Sequence, residues 1–404
     1  MSVAVFDPEH AIAPAEFRER QDRARATAAE KGLDGIVVWS RGGGPVDMSA
    51  DVVYLANHYS QQPYMADHAG IGRARSHGVL VLPVHGPSIL VIDVPWWRPD
   101  LAVADEVRTG NDVIAKAADA MRSAGLDGRR VGLVGASHMT AAAYLGFVSA
   151  LPSVHLIRAD DLVERLRIYK SAAEVVAMRA AIALGDEAVK AAMEAAVVGA
   201  TEADCAAEAA SVVARGGGVL YDAACASGAQ AHNFTWARMP SSSLRPLEGG
   251  DMFHMDCYGA LAGYFWDFGR TRVAGDEPTD QQRDLVEAAI EVVEAVCAAI
   301  RPGVTAAQVY TVGERAMAES AVIAAIPAEA ADTEGFPAVG HGIGLGWEAP
   351  WLTPVDQTVL VPGMTIAVET LVGHSSLGGG FFEENGVVTE AGFEVLTTAR
   401  KRWW

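Results

Sequence analysis

Met252-Phe-His-Met-Asp-Cys-Tyr-Gly-Ala-Leu-Ala-Gly-Tyr-Phe-Trp-Asp-Phe268 is the stretch on which the reading of this chain turns. Apolar and aromatic residues flank the small-residue segment Gly259 to Gly263, the pattern of two strands joined by a tight turn. With the turn centred on Leu261 and Ala262, Asp256 and Asp267 are predicted to pair directly across the hairpin. Directly opposed Cβ atoms lie about 5 Å apart on one face. Two acids held that close inside an aromatic hairpin repel each other unless a cation lies between them.

Three more segments downstream carry the same kind of signal. His341 lies in Val339-Gly-His-Gly-Ile-Gly-Leu-Gly346, where the glycines permit close backbone approach. Glu369 lies in the apolar run Thr365-Ile-Ala-Val-Glu-Thr-Leu-Val372, just after the Pro362-Gly363 turn. A carboxylate in such a run is costly to bury unless it is paired or metal-bound. Glu383 and Glu384 follow Gly378-Gly-Gly-Phe-Phe382. Successive strand residues face opposite sides, so only one of the two can point with Glu369. Four converging carboxylates carry four negative charges, which two divalent cations balance. Oxygen ligands with one imidazole and no thiolate suit Mn, Fe, Co or Zn.

Composition bounds the rest. The chain has 404 residues, half of them hydrophobic, enough for two domains with large cores. Its net charge of −20 repels phosphate backbones, which argues against a nucleic-acid partner. No apolar run reaches the ~18 to 20 residues that span a bilayer. The first segment, MSVAVFDPEHAIAPAEF, carries Asp7 and Glu9 and does not read as a signal peptide. Cys205, Cys225, Cys257 and Cys297 are widely spaced, as expected of reduced thiols in a cytoplasmic protein.

Residues 1–165 read as an α/β domain and residues 166–404 as an α+β domain. In the first, a polar helix from Phe17 to Lys31 precedes four strand candidates: Asp34 to Ser40, Val52 to Ala56, Gly78 to Leu82 and Ser88 to Asp93. A helix from Asp112 to Ala124 and a strand from Arg130 to Gly135 follow. Gly42-Gly-Gly-Pro45 is a loop without the Lys-Ser/Thr of a phosphate loop. In the second domain, the capping box Ser171-x-x-Glu174 opens a long helix, and Thr201 opens another that closes at Gly216-Gly-Gly218. Short strands then alternate with helices predicted over Gln281 to Ile300 and Ala306 to Ala324, which fits a curved antiparallel sheet.

These segments together resemble the creatinase/aminopeptidase P/prolidase group of pita-bread metalloenzymes. Asp256, Asp267 eleven positions on, Gly340-His-Gly-Ile-Gly344, Pro362-Gly-Met364 with Glu369, and Glu383 before Val387-Val-Thr-Glu-Ala-Gly392 match that group's motifs in order. The resemblance covers the C-terminal ~230 residues. It implies a C-terminal pita-bread domain behind an N-terminal creatinase-like α/β domain. It also implies two metals on Asp256, Asp267, His341, Glu369 and Glu383, and a homodimer. The tail register makes Glu383 the ligand and Glu384 its neighbour.

The surroundings depart from the peptidase pattern. Peptidases of the group carry a second histidine seven positions after the first, whereas here the run His341-Gly-Ile-Gly-Leu-Gly-Trp347-Glu348-Ala-Pro350 is one residue shorter and places Trp347 there. Their histidine eight positions after the Ser-Gly motif is missing too: Ser227-Gly228 is followed by His232 at five and Thr235 at eight. Gly269 replaces the usual threonine in Asp267-Phe-Gly-Arg-Thr271, and Arg270 remains to brace a ligand carboxylate. The runs Arg215-Gly-Gly-Gly218, Val368-Glu-Thr-Leu-Val-Gly373 and the shortened loop resemble the dimethylsulfoniopropionate lyases of the superfamily. Those lyases carry acids where this chain has Trp347 and His254.

The leading expectation is a dinuclear metal hydrolase cleaving a C–N bond of a dipeptide or other small substrate. His232, Glu348 and Glu369 are its catalytic candidates, and Trp236, Tyr258 and Trp347 its pocket wall. A metal-dependent lyase is the alternative, and a silent binding module a third reading.

Overall fold

The computed structural model describes residues 7–93, 96–234, 239–275, 277–330 and 338–404. The chain divides into two units, Met1–Arg167 and Ile168–Trp404. In the first, α1 (Pro14–Glu30), β1 (Gly35–Arg41), α2 (Ala50–Ala56), β2 (His77–Pro83), β3 (Ile89–Ile92), β4 (Glu106–Thr109), α3 (Val113–Ser123), β5 (Arg130–Val134), α4 (Ala141–Ala150), β6 (His155–Arg158) and α5 (Asp160–Arg167) follow in order. They build a six-stranded sheet of order β4-β3-β2-β1-β5-β6. The pairs β1–β5, β5–β6 and β3–β4 are parallel, while β1–β2 and β2–β3 are antiparallel. Both β2 and β3 are buried along their whole length, which is why they read as continuous apolar runs. Val37, Trp39, Val79, Val91, Ile114 and Phe147 are central to this core.

Val52 to Ala56 is not the strand the sequence suggests. It lies in helix α2, which ends at Asn57 in the left-handed conformation (φ 49°). Nearly every side chain of α2 is buried, so its apolar run has no periodicity that separates a short helix from a strand.

The second unit begins with α6 (Ala172–Ala195), opened by the Ser171/Glu174 capping box, and α7 (Glu202–Arg215), opened by Thr201 and Asp204. Then come β7 (Val219–Ser227), β8 (Met252–Leu261), β9 (Tyr264–Val273), α8 (Asp280–Ala299), α9 (Ala306–Glu319), α10 (Ala321–Ala325), β10 (Gly340–Ile343), β11 (Trp347–Trp351), β12 (Thr365–His374), β13 (Gly378–Thr389) and β14 (Gly392–Val395). The helix expected to run on to Ala324 breaks at Ser320, whose side chain caps α10 by accepting the Ile323 N–H. The strands form two antiparallel sheets, β7-β8-β9 and β11-β10-β12-β13-β14. Side chains stitch β9 to β13. The Asp267 N–H donates to Asn385 Oδ1 at 3.0 Å, and the Phe381 N–H donates to Thr271 Oγ1 at 2.7 Å. Helix α8 covers β12 and β13 through Leu285, Val286, Ile290, Val293, Ile366 and Phe382.

The hairpin register differs from the expectation. Leu261 pairs with Tyr264, leaving Ala262 and Gly263 as a two-residue turn, both with positive φ (56° and 85°), as a type I′ hairpin requires. Asp256 therefore faces Gly269, and Asp267 faces Tyr258. The two acids are diagonal neighbours on one face rather than a direct pair. The turn centre moved by one residue because conformational demand, not residue size alone, places a two-residue loop.

Candidate metal centre

The five predicted residues come from five strands: Asp256 from β8, Asp267 from β9, His341 from β10, Glu369 from β12 and Glu383 from β13. On β12, Glu369 directly opposes Glu383 of β13, while Glu384 opposes Val368 and points the other way. His341 on β10 pairs with Ala367, so Glu369 lies diagonally beside it on the same face. Its Nε2 lies 3.5 Å from Asp267 Oδ2 and 3.8 Å from Glu369 Oε1. One ligand atom each from Asp267, His341 and Glu383 lies within 4.8 Å of the other two, and all three residues are buried.

The electrostatics are those of crowded acids. Burial pushes the Asp256 carboxyl well above its usual range, and Asp267, Glu369 and Asp222 push it further. Burial does the same to Glu383, reinforced by Asp267, Glu369 and Asp256 and opposed by Arg270. Burial brings Glu369 up to about 7, with Asp267 adding to it and His341 opposing. Burial alone would lower His341. Asp267, Glu369 and the Gly342 carbonyl together outweigh it and raise the imidazole. Both carboxylate oxygens of Glu383 and Oδ1 of Asp256 are buried without a hydrogen-bond donor. Arg270 does not supply one. Fully buried, it donates to the Glu383 backbone carbonyl and pairs with Glu384 at 3.0 Å, its guanidinium 4.3 Å from the Phe382 ring centre.

The other predicted site residues divide. Trp347 reaches the cluster: its Nε1–H donates to Asp267 Oδ2, and its ring lies 5.2 Å from Tyr258 and 5.9 Å from His341. Glu348, next along β11, pairs with Lys170, and both side chains are buried. His232 is half-buried, with Nδ1 against the Ala229 carbonyl at 2.6 Å. Among the described contacts none joins it to the acids. Trp236 lies outside the described residues. His254 is wedged between Phe234 and Phe381, and burial lowers it to about 4. Gly269 is explained by the same packing: a Cβ there would stand 2.3 Å from the Phe381 ring and 2.1 Å from the Met255 carbonyl. Sequence reasoning missed Lys170, Asn385 and Asp222. Each acts on a partner far away in the chain, and no local pattern marks it.

A family model for metallopeptidase family M24 matches residues 176–390, and one for the creatinase/prolidase N-terminal domain matches residues 20–169. The chain is 29% identical over 245 residues to an Xaa-Pro dipeptidase of Pyrococcus furiosus, a match spanning 60% of this chain and 66% of that protein. It is 34% identical over 281 residues to a probable dipeptidase PepE of Mycobacterium tuberculosis, covering 65% of this chain and 70% of that one. The crystal structure of dipeptidase PepE from Mycobacterium ulcerans superposes with a TM-score of 0.75 at 26% identity, over 97% of this chain and 98% of that one. Fold, acid–histidine cluster and matches define the class, a metal-dependent hydrolase with a pita-bread domain. The chain belongs to metallopeptidase family M24, which implies divalent metal ions. The lyase alternative finds no support among these relatives.

Among the described residues no helix is long and apolar enough to cross a membrane. The four cysteines are free thiols, three of them buried.

Proposed function

We propose that this protein is a metal-dependent dipeptidase that hydrolyses the peptide bond of Xaa-Pro dipeptides. The observation that carries the reading is the convergence of buried Asp267, His341 and Glu383 within 4.8 Å. The donor-free oxygens of Glu383 and Asp256 fit the same reading, because buried carboxylate oxygens without donors are stabilised by cations. We assign Asp256, Asp267, His341, Glu369 and Glu383 as ligands of two divalent cations drawn from Mn, Fe, Co and Zn, the count that balances four carboxylates. The Xaa-Pro specificity is taken from the dipeptidases the chain resembles.

Bound divalent cations lower the pKa of water and polarise a carbonyl oxygen. The chain's own residues supply the rest. Of the three catalytic candidates, Glu348 is engaged by Lys170 and His232 by the Ala229 carbonyl, whereas Glu369 lies inside the cluster. Glu369 is therefore the group to take a proton from the attacking water and return it to the leaving nitrogen. We assign Tyr258 and Trp347, their ring centres 5.2 Å apart, to the pocket wall. A homodimer in the cytoplasm completes the reading, supported by the family resemblance and the cysteine pattern. Size-exclusion chromatography with light scattering tests the dimer.

The deciding experiment is release of proline from an Xaa-Pro dipeptide panel before and after chelation, with elemental analysis of the purified protein. The expected result is activity lost on chelation and restored by Mn²⁺ or Zn²⁺, with close to two ions per chain. Full turnover in the stripped protein, or in Glu369→Ala, overturns the proposal.

A further inference from the structure

We infer that Trp347 is a positioning residue for Asp267, a fixed indole N–H donor that sets the affinity of the acid–histidine centre for divalent cations. The inference rests on the metal reading above. Trp347 opens β11, and strand alternation sends it and Glu348 to opposite faces. On one face Glu348 is held by Lys170 in an ion pair whose side chains are 4% and 2% exposed. On the other, the indole lies against the rings of Tyr258 and His341 and donates Nε1–H to Asp267 Oδ2 at 2.5 Å. Tyr258 is itself the residue directly opposite Asp267 in the β8–β9 register. The donor is thus fixed from behind by the ion pair and at its sides by two rings.

An indole N–H can only donate. It neither accepts a proton nor offers a lone pair to a cation. Position 347 therefore cannot do the acid–base work of a histidine or a carboxylate, and what its polar edge does here is hold one oxygen. That oxygen also faces His341 Nε2 at 3.5 Å, so the indole acts on the very atom turned toward the centre. A donor on a ligand carboxylate fixes its orientation, and removing such a partner weakens metal binding roughly 10- to 100-fold. Although Trp347 is 40% exposed, its N–H edge points inward, which separates it from a ring that merely lines an entrance.

The test is Zn²⁺ affinity of the metal-free full-length protein, measured by competition with a chromophoric chelator. Trp347→Phe keeps an aromatic ring and deletes the N–H. A loss of roughly 10- to 100-fold in Zn²⁺ affinity is expected. Replacing Trp347 with benzothienylalanine, which has the indole's shape with sulfur in place of N–H, gives the same loss and keeps the test open if the Phe variant folds poorly. Unchanged affinity in either folded variant overturns the inference and leaves the metal reading standing. A wild-type protein that takes up no Zn²⁺ overturns the metal reading, and the inference with it.

Discussion

Replacing Glu369 by glutamine tests the charge balance of the centre through stability rather than turnover. Burial, with Asp267 adding to it, brings this carboxyl up to about 7 from an ordinary value of 4.5. A gap of 7 minus 4.5 is worth about 3 kcal/mol at 1.36 kcal/mol per unit. The folded value is raised above the unfolded one. The group's contribution to stability is therefore fully present below pH 4.5 and is lost as pH rises through 7. Metal-free wild-type protein should lose about 3 kcal/mol from this group on that path, whereas Glu369→Gln does not titrate and loses none. Urea unfolding of chelator-treated wild type and variant at pH 5 and pH 8 measures the difference. The variant is expected to gain about 2 to 3 kcal/mol on the wild type over that interval. Adding Mn²⁺ at pH 8 should reverse the order, since cations bind only the folded centre and need the full ligand set. Parallel pH profiles for the two proteins would refute the reasoning.

Arg270→Met removes the guanidinium from buried Glu384, leaving it the Thr397 hydroxyl and Lys401 at 3.8 Å, and should cost about 3 kcal/mol in urea unfolding, with Arg270→Met/Glu384→Gln recovering a large part. No recovery would mean that the guanidinium's other bonds, to the Gly269, Glu383 and Arg400 carbonyls, carry the effect. His58 in the first unit is lowered by burial to about 4 from 6.5, so its contribution is present above pH 6.5 and lost as pH falls through 4. Acid unfolding of His58→Gln should show about 3 kcal/mol less loss over that range, and identical acid profiles would count against it. Ala262 sits at φ 56° in the β8–β9 turn, so Ala262→Asn is expected to raise stability by about 1 kcal/mol, read as a higher urea midpoint at unchanged slope.

What was legible in the sequence tracks how local the governing physics is. The capping boxes at Ser171 and Thr201 are contacts over three residues, and both helices start where those boxes place them. Strand alternation allowed only one of Glu383 and Glu384 to join Glu369, and in the structure Glu383 opposes Glu369 while Glu384 turns to Arg270. Where the local signal is degenerate, reading failed. The apolar run from Val52 to Ala56 is buried nearly all round, and the Gly259 to Gly263 segment offers several turn centres. Only the left-handed pair at Ala262 and Gly263 selects one. The surroundings of the acids lie beyond local reading altogether. Lys170 meets Glu348 across 178 positions, Asn385 meets Asp267 across 118, and Trp347 meets Asp267 across 80. Each of those contacts bears on a member of the acid–histidine cluster or on a residue beside one. The four acids and the imidazole keep motifs that a single chain displays, but the donors that orient them are assembled only by the fold. Substrate choice and metal affinity should therefore respond most to residues such as Trp347 and Lys170, whose sequence contexts alone suggest a pocket wall and a helix lead-in.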